Sequence, residues 1–434
     1  MPLLDKTSRI AVDSPPGNLQ TPESTTSDVA LTPASPSAGV LQALLATLAI
    51  QVFVSFAGLA GPVLAPLAAA DFGVDPIYVG LYVATIYGVA AVSSLASGGF
   101  IARFGPFRVS QTCLVLAAAA LVVGATGHPA ALIVTAVLLG IAYGPATPAS
   151  STLLAQGTPA KWMNLVFSVK QTGVPLGNML AGAILPGAAL ALGWRAAALL
   201  TAGACLLLAL VVQPMRAGMD LFKDHKRPFI GRGMLSGPLR LVFASPVLRR
   251  MAIVSFAYSG MQISLSAFLV TYLNHDLGMP VVLAGIVLSA AQIAGVGGRI
   301  LWGVVADRLL KPDYVLGGLG LAMTLAAIAT GLFTPEWPLA AIFAVAIVFG
   351  GTAVAWNGVY LAQIARLSPP GRAGEVTGGT AFLTFSGVMV APTVFSAIVS
   401  YTGSYTYGFA TIAVVTFISA LSFFVAPGED SSKS

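Results

Sequence analysis

Charge is scarce in this chain. Only 8% of its 434 residues are Asp, Glu, Lys or Arg, while 57% are apolar. A soluble domain carries about a quarter charged residues, so that class is excluded. Cysteine is nearly absent: Cys113 and Cys205 both fall in apolar stretches, which leaves no disulfide framework and reads as small core packing. No Gly-x-x-x-x-Gly-Lys-Ser/Thr phosphate loop occurs, and no polar stretch is long enough to fold as an ATPase. Transport by this chain alone would run on a gradient. The first apolar run opens near Val40, so no cleavable leader peptide is expected. Carboxylates are missing from the middle of the apolar stretches, and no paired carboxylates, metal-ligand cluster or nucleophile–base set stands there. A membrane enzyme is therefore the least supported class, with no cofactor and no metal expected.

What is present is apolar length. Mean hydropathy is +0.89. Twelve spans each have room for roughly 20 helical residues: 39–69, 76–101, 107–126, 130–155, 162–186, 194–213, 250–273, 280–306, 313–333, 337–364, 374–400 and 405–426. The expected fold is all-α and integral to the lipid bilayer, with twelve transmembrane helices in two six-helix halves related by a pseudo-two-fold axis. Residues 1–37, rich in Pro, Ser and Thr, read as a disordered cytoplasmic tail. The halves are expected at 38–213 and 250–427, joined by a basic cytoplasmic linker at 214–249, with a polar tail at 428–434.

A fragment repeat supports two halves. Gly98-Gly99-Phe100-Ile101-Ala102-Arg103 ends span 2, and Gly303-Val304-Val305-Ala306-Asp307-Arg308 ends span 8, 205 residues later. The net charge of +6 lies mostly in short loops and is no nucleic-acid footprint. Of 21 lysines and arginines, Lys170 and Arg299 lie inside spans and Arg195 lies between spans 5 and 6. The remaining 18 fall in the tails or after even-numbered spans, which predicts cytoplasmic termini.

The stretch Phe167–Gly182 organises the rest. Lys170 lies nine residues from Lys161, ~13 Å deep in a ~30 Å hydrocarbon layer. An ammonium there costs at least roughly 2.5 kcal/mol unless it meets a cavity or partner. Gly173 and Gly177 follow on nearly the same face, with Gln171 and Asn178 seven apart beside them. The second cation, Arg299, lies eight residues from Asp307, ~12 Å from the end of span 8. Gly295 and Gly303 sit four residues either side of it, and Gln292 seven residues earlier on its stripe. A snorkelling or structurally paired side chain is the competing reading for each. Other polar groups sit at helical spacing: Tyr258, Gln262 and Ser266 in span 7; Trp356, Asn357, Tyr360 and Gln363 in span 10; Gln51 and Ser55 in span 1. Pro145 and Pro148, near Tyr143, are expected to interrupt hydrogen bonding in span 4.

Taken together, this pattern over about residues 40–426 resembles the major facilitator superfamily. Its signature loop between helices 2 and 3 is similar to the first repeat, which keeps Gly98, Arg103, Gly105 and Arg108 but has Ala102 where the family has Asp. The second copy keeps Gly303, Asp307 and Arg308, with Leu310 for the second glycine. The family's aspartate helps latch the halves in the outward-facing state, a part that Ala102 cannot play. Gly173-Val174-Pro175-Leu176-Gly177 resembles the family's Gly/Pro-rich helix 5, Gly193-Trp194-Arg195 the opening of helix 6, and Pro392 with Tyr401–Tyr405 the end of helix 11. Bacterial cyanate-type and monocarboxylate-type carriers look similar in having a lysine in helix 5 and an arginine in helix 8.

The resemblance implies that helices 5 and 8 meet between the halves, so Lys170 and Arg299 would approach one central site. Two cations there call for an anionic ligand, a carboxylate foremost. Tyr258, Gln262, Gln292, Tyr360, Asn357 and Asn178 are the further candidate contacts. Gly98, Arg103, Gly105, Gly303, Asp307, Arg308, Gly173, Pro175 and Gly177 are the candidates for conformational change. The leading expectation is a monomeric secondary transporter of a small anionic solute in a bacterial cytoplasmic (inner) membrane, driven by proton symport or anion exchange. Drug–proton antiporters carry an intramembrane acid, which is missing here. The alternatives are efflux of lipophilic drug-like compounds and a transporter-fold sensor or receptor.

Overall fold

The computed structural model describes residues 38–72, 78–220, 231 and 233–425. The expected tails at 1–37 and 428–434, and Lys223, Lys226, Arg227 and Arg232 of the linker, lie outside the described residues. Among those described, regular structure is all helical. The first half holds α1 (Ala38–Phe72), α2 (Tyr78–Phe104), α3 (Pro106–Gly124), α4 (Pro129–Gly157), α5 (Met163–Gln171), α6 (Gly173–Leu192) and α7 (Trp194–Val211). Short α8 (Arg216–Met219) and α9 (Ser236–Ala244) lie between the halves. The second half holds α10 (Pro246–His275), α11 (Val281–Arg308), α12 (Pro312–Gly331), α13 (Leu339–Ala353), α14 (Asn357–Leu367), α15 (Ala373–Thr402) and α16 (Tyr405–Val425). They make 12 segments long and apolar enough to cross a membrane, the fifth from α5 and α6 and the tenth from α13 and α14. In hydrocarbon every backbone N–H and C=O must find a partner inside the protein, and a helix achieves this within one segment.

Helix ends follow local chemistry. Pro106 and Pro129 open α3 and α4, where a missing N–H costs nothing. Asp220 accepts from the N–H groups of Phe107 and Arg108 at 2.8 and 3.0 Å, placing a carboxylate on the positive end of α3. Gly105 is fixed by this arrangement: its φ is +94°, and a Cβ would press into the Asp220 side chain. At the other end of the bundle, Asp71 accepts from Trp194 and Arg195 at 2.8 and 2.6 Å, tying the end of α1 to the start of α7.

The helical course of α4 continues across Pro145 and Pro148, while each proline withholds an N–H from the carbonyl four residues earlier, that of Ile141 or Gly144. Nearby, Ser93 of α2 donates to the Gly140 carbonyl at 3.0 Å and ties α2 to α4. The fifth and tenth segments are the ones that break, and the site forms at those breaks.

The halves meet at the end that carries Arg103, Asp307 and Arg308. Asp307 of α11 caps α5, accepting from the N–H groups of Asn164 and Leu165 at 3.1 and 2.8 Å and from the Asn164 amide at 2.7 Å. Arg366 of α14 reaches across to Asn164 Oδ1 and the Ala160 carbonyl. Beside them the second half presents glycines. Gly303 and Gly358 receive Ser168 of α5, Gly374 receives Thr152 of α4, and Gly378 receives Ser94 of α2. Gly98 lies against the backbone of Glu375 at the start of α15. The first turn of α15 carries a carboxylate, Glu375, paired with Arg372 at 2.8 Å.

Candidate functional site

The fifth segment breaks because of Pro175. Proline has no N–H, so the carbonyl four residues earlier, that of Gln171, loses its helical partner. Arg299 of α11, in the other half, replaces it by donating from Nη1. The tenth segment breaks without a proline. The Ala355 N–H turns back to Thr352 and leaves the Gly351 carbonyl free. Trp302 takes that carbonyl at 2.9 Å, and Arg299 Nε takes the Val354 carbonyl at 2.9 Å. Gly295 and Gly298 let α11 lie close enough to α13 for these side chains to reach. One guanidinium therefore serves both broken segments.

Lys170 sits on the other side of the first break. Its ammonium donates to Gln51 Oε1 at 2.9 Å and to Gln171 Oε1 at 2.8 Å. Gln51 in turn donates to Ser55 Oγ at 3.3 Å, and the Tyr143 phenol is hydrogen-bonded to Ser55. Gly173 and Gly177 bring α1 within reach, since a Cβ at either would strike Gln51, Ser55 or the α1 backbone. Lys170 and Arg299 are each 1% exposed. They lie near enough to feel each other's charge, and among the described residues no carboxylate pairs with either. Hydrogen bonds to a charged group contribute about 1.5–3 kcal/mol each, which offsets the burial of these cations without neutralising them. Gln171 joins the two, through its side-chain oxygen to Lys170 and its backbone oxygen to Arg299.

A second polar group stands on the second half alone. Gln262 Oε1 accepts from Trp356 Nε1 at 3.2 Å and from Asn357 Nδ2 at 3.0 Å, while Gln292 donates to Ser266 at 3.0 Å. Asn357 opens α14, three residues from the carbonyl that Arg299 holds, so this group borders the arginine. Tyr258 stands apart: fully buried, it donates to the Leu316 carbonyl of α12 at 2.9 Å and stacks edge-on against Trp356. Tyr360 is buried, its phenol beside the hydroxyls of Ser255 and Thr380. Asn178 lies on the exposed side of α6. Gly98, Gly303 and Asp307 line the contact between the halves; Arg308 lies over the Trp162 ring and Arg103 over Phe104. Gly173 and Gly177 pack α6 on α1 within one half, and Pro175 makes the break.

The sequence reading missed Gln171 and Gln51 as direct partners of the lysine, Tyr143, and the carbonyls of Gln171 and Val354. The four-residue spacing of Gln51 and Ser55 was the one signal available. A backbone carbonyl carries no signal in its own letter.

A family model described as Major Facilitator Superfamily matches residues 44–392. The chain is 31% identical over 150 residues to the 4-hydroxybenzoate transporter PcaK of Acinetobacter baylyi, a match covering 34% of this chain and about a third, 33%, of that relative. It is 20% identical over 396 residues to GudP of Escherichia coli K12, named a probable galactarate/D-glucarate transporter, covering 83% of this chain and 87% of GudP. The structure of the human organic anion transporter MFSD10 (TETRAN) superposes with a TM-score of 0.71 at 18% identity, covering 90% of this chain and 100% of that one.

Proposed function

We propose that this chain, which belongs to the Major Facilitator Superfamily, carries a small organic anion, a carboxylate foremost, across a membrane by alternating access. The reading rests on one observation: two buried cations, one from each half, are held among the described residues by neutral oxygens only. Lys170 uses two of its three N–H groups on amide oxygens, and Arg299 uses two of its five on carbonyls. The rest are left to a ligand that brings negative charge. Guanidinium can grip a carboxylate with two hydrogen bonds, and ammonium adds a compact charge. PcaK and GudP are named for carboxylic acids, which supports the class without selecting a member.

The basic residues orient the chain with both termini inside, in a bacterial inner membrane. In that orientation the contact between the halves closes the cytoplasmic side, and an anion enters from outside. Transport runs as a monomer, on proton symport or anion exchange. The test is binding of a carboxylate panel by purified wild type, Lys170→Ala and Arg299→Ala. Losing a desolvated charge contact should weaken binding by roughly 2–5 kcal/mol in each variant. Wild-type affinity in both variants would end the proposal.

A further inference from the structure

We infer that the anion carries an aromatic ring beside its carboxylate, an inference that rests on the anion reading above. Tyr87 of α2, Tyr143 of α4 and Phe385 of α15 form a triangle, with ring centroids 6.0, 6.1 and 6.0 Å apart. With Ala90, Ala91 and Phe382 they make a small apolar group that Tyr143 joins to the main core. Rings from both halves contribute to it. Tyr87 and Tyr143 are only half-buried although their helices lie at the contact between the halves, so part of each ring is open to a ligand.

Tyr143 belongs to two neighbourhoods. Its ring completes the triangle, while its hydroxyl joins Ser55 in the network that holds Lys170 and lies within electrostatic reach of Arg299. The site therefore has a cationic side and an aromatic side sharing one residue. Its polar side chains are already committed to one another. Gln262 is taken by Trp356 and Asn357, Gln292 by Ser266, and the oxygens of Gln51 and Gln171 by Lys170. A polyhydroxylated acid would have to break these pairs to satisfy its hydroxyls. A small inorganic anion would meet the cations and leave the rings untouched. A flat ring bearing a carboxylate matches both sides, because an aromatic ring pairs favourably with the faces and edges of other rings.

The experiment measures binding of four anions to the purified full chain: benzoate, cyclohexanecarboxylate, glucarate and nitrate. Benzoate and cyclohexanecarboxylate share charge and near-equal size, so their ratio isolates the ring. Benzoate should bind about 2- to 12-fold more tightly than cyclohexanecarboxylate, and more tightly than glucarate or nitrate. Phe385→Leu should bring the ratio of the two ring acids close to one, and Phe385→Trp should preserve it. The wild-type ratio needs no variant, so a variant that fails to fold leaves the test intact. Equal binding of the two ring acids, or tighter binding of glucarate or nitrate, overturns the aromatic inference while the anion reading stands. No binding of any of the four, or benzoate binding unchanged in both Lys170→Ala and Arg299→Ala, overturns the anion reading itself.

Discussion

Lys170 and Arg299 are both buried cations, yet they carry unequal loads. Lys170 donates to two side-chain amides that can find other partners when it is gone. Arg299 holds two backbone carbonyls that the breaks in the fifth and tenth segments leave open. A buried carbonyl left without a donor costs about 1–3 kcal/mol. Arg299→Ala should therefore lower the melting temperature of the ligand-free protein as well as abolish binding. Lys170→Ala should lose binding and keep its melting temperature, since its removal also relieves a desolvation cost. Equal melting temperatures for the two variants would contradict this division. A second residue-scale prediction concerns pH. Donation from Trp194 and then from Arg195 holds the Asp71 carboxyl below its usual 3.8. A depressed carboxylate stabilises above its unfolded value and stops doing so as pH falls through the folded one. Between pH 5 and pH 8 the tie from α1 to α7 should then be constant, giving way only below about pH 4. The pH dependence of tryptophan fluorescence, wild type minus Asp71→Asn, reads this directly; a transition near neutrality would refute it. The two cations were legible because charge stands out in apolar sequence. Their partners were not, since these come from distant helices or from the backbone.

At the scale of the element, proline had less meaning in the sequence than position. Pro145 and Pro148 lie inside an unbroken α4, whereas Pro175 opens a break that Arg299 fills. At Pro175 a guanidinium from the other half supplies the donor that the proline lacks. The tenth segment breaks with no proline to announce it, beside the close passage of α11 and α13. The twelve spans themselves were legible to within a few residues, because hydrocarbon thickness sets their length. The glycines at the contact between the halves yield a third prediction. A Cβ at Gly358 would fall inside the contact distance of Ser168, and one at Gly378 inside that of the Ser94 carbonyl. Gly358→Ala and Gly378→Ala should keep that end from closing and favour the opposite state. Spin labels at Lys161 and Lys311 should report a longer distance in both variants. Distances matching wild type would show that the packing yields to a methyl group.

On the scale of the whole molecule, two halves touch at one end and share a pair of charges at the middle. The repeat of Gly98-x-x-x-Ala102-Arg103 and Gly303-x-x-x-Asp307-Arg308 marks that end in the sequence. What the repeat left open was how differently its copies act, since Asp307 caps a helix of the other half while Ala102 has no side chain to do so. The proposed orientation rests on the distribution of lysines and arginines among the loops. Arg240→Cys should resist an impermeant thiol reagent applied to intact cells, and Asp276→Cys should react. Equal labelling would reverse or void the orientation. Both positions lie outside the membrane-length segments or at their edge, so neither change disturbs the core.

The double duty of Arg299 also bears on how such a protein can change over generations. Under the proposed function, a substitution at Lys170 alters the charge offered to the cargo and leaves the broken helices supported. A substitution at Arg299 removes the scaffold contacts to both breaks and, under the proposed function, cargo recognition with them. Selection for a new, uncharged cargo thus has one position that can drift and one that is held in place by the backbone around it. Populations grown under such selection should accumulate changes at Lys170 and Gln51 long before any at Arg299, and ancestry traced through this site should read as a variable lysine beside a persistent arginine.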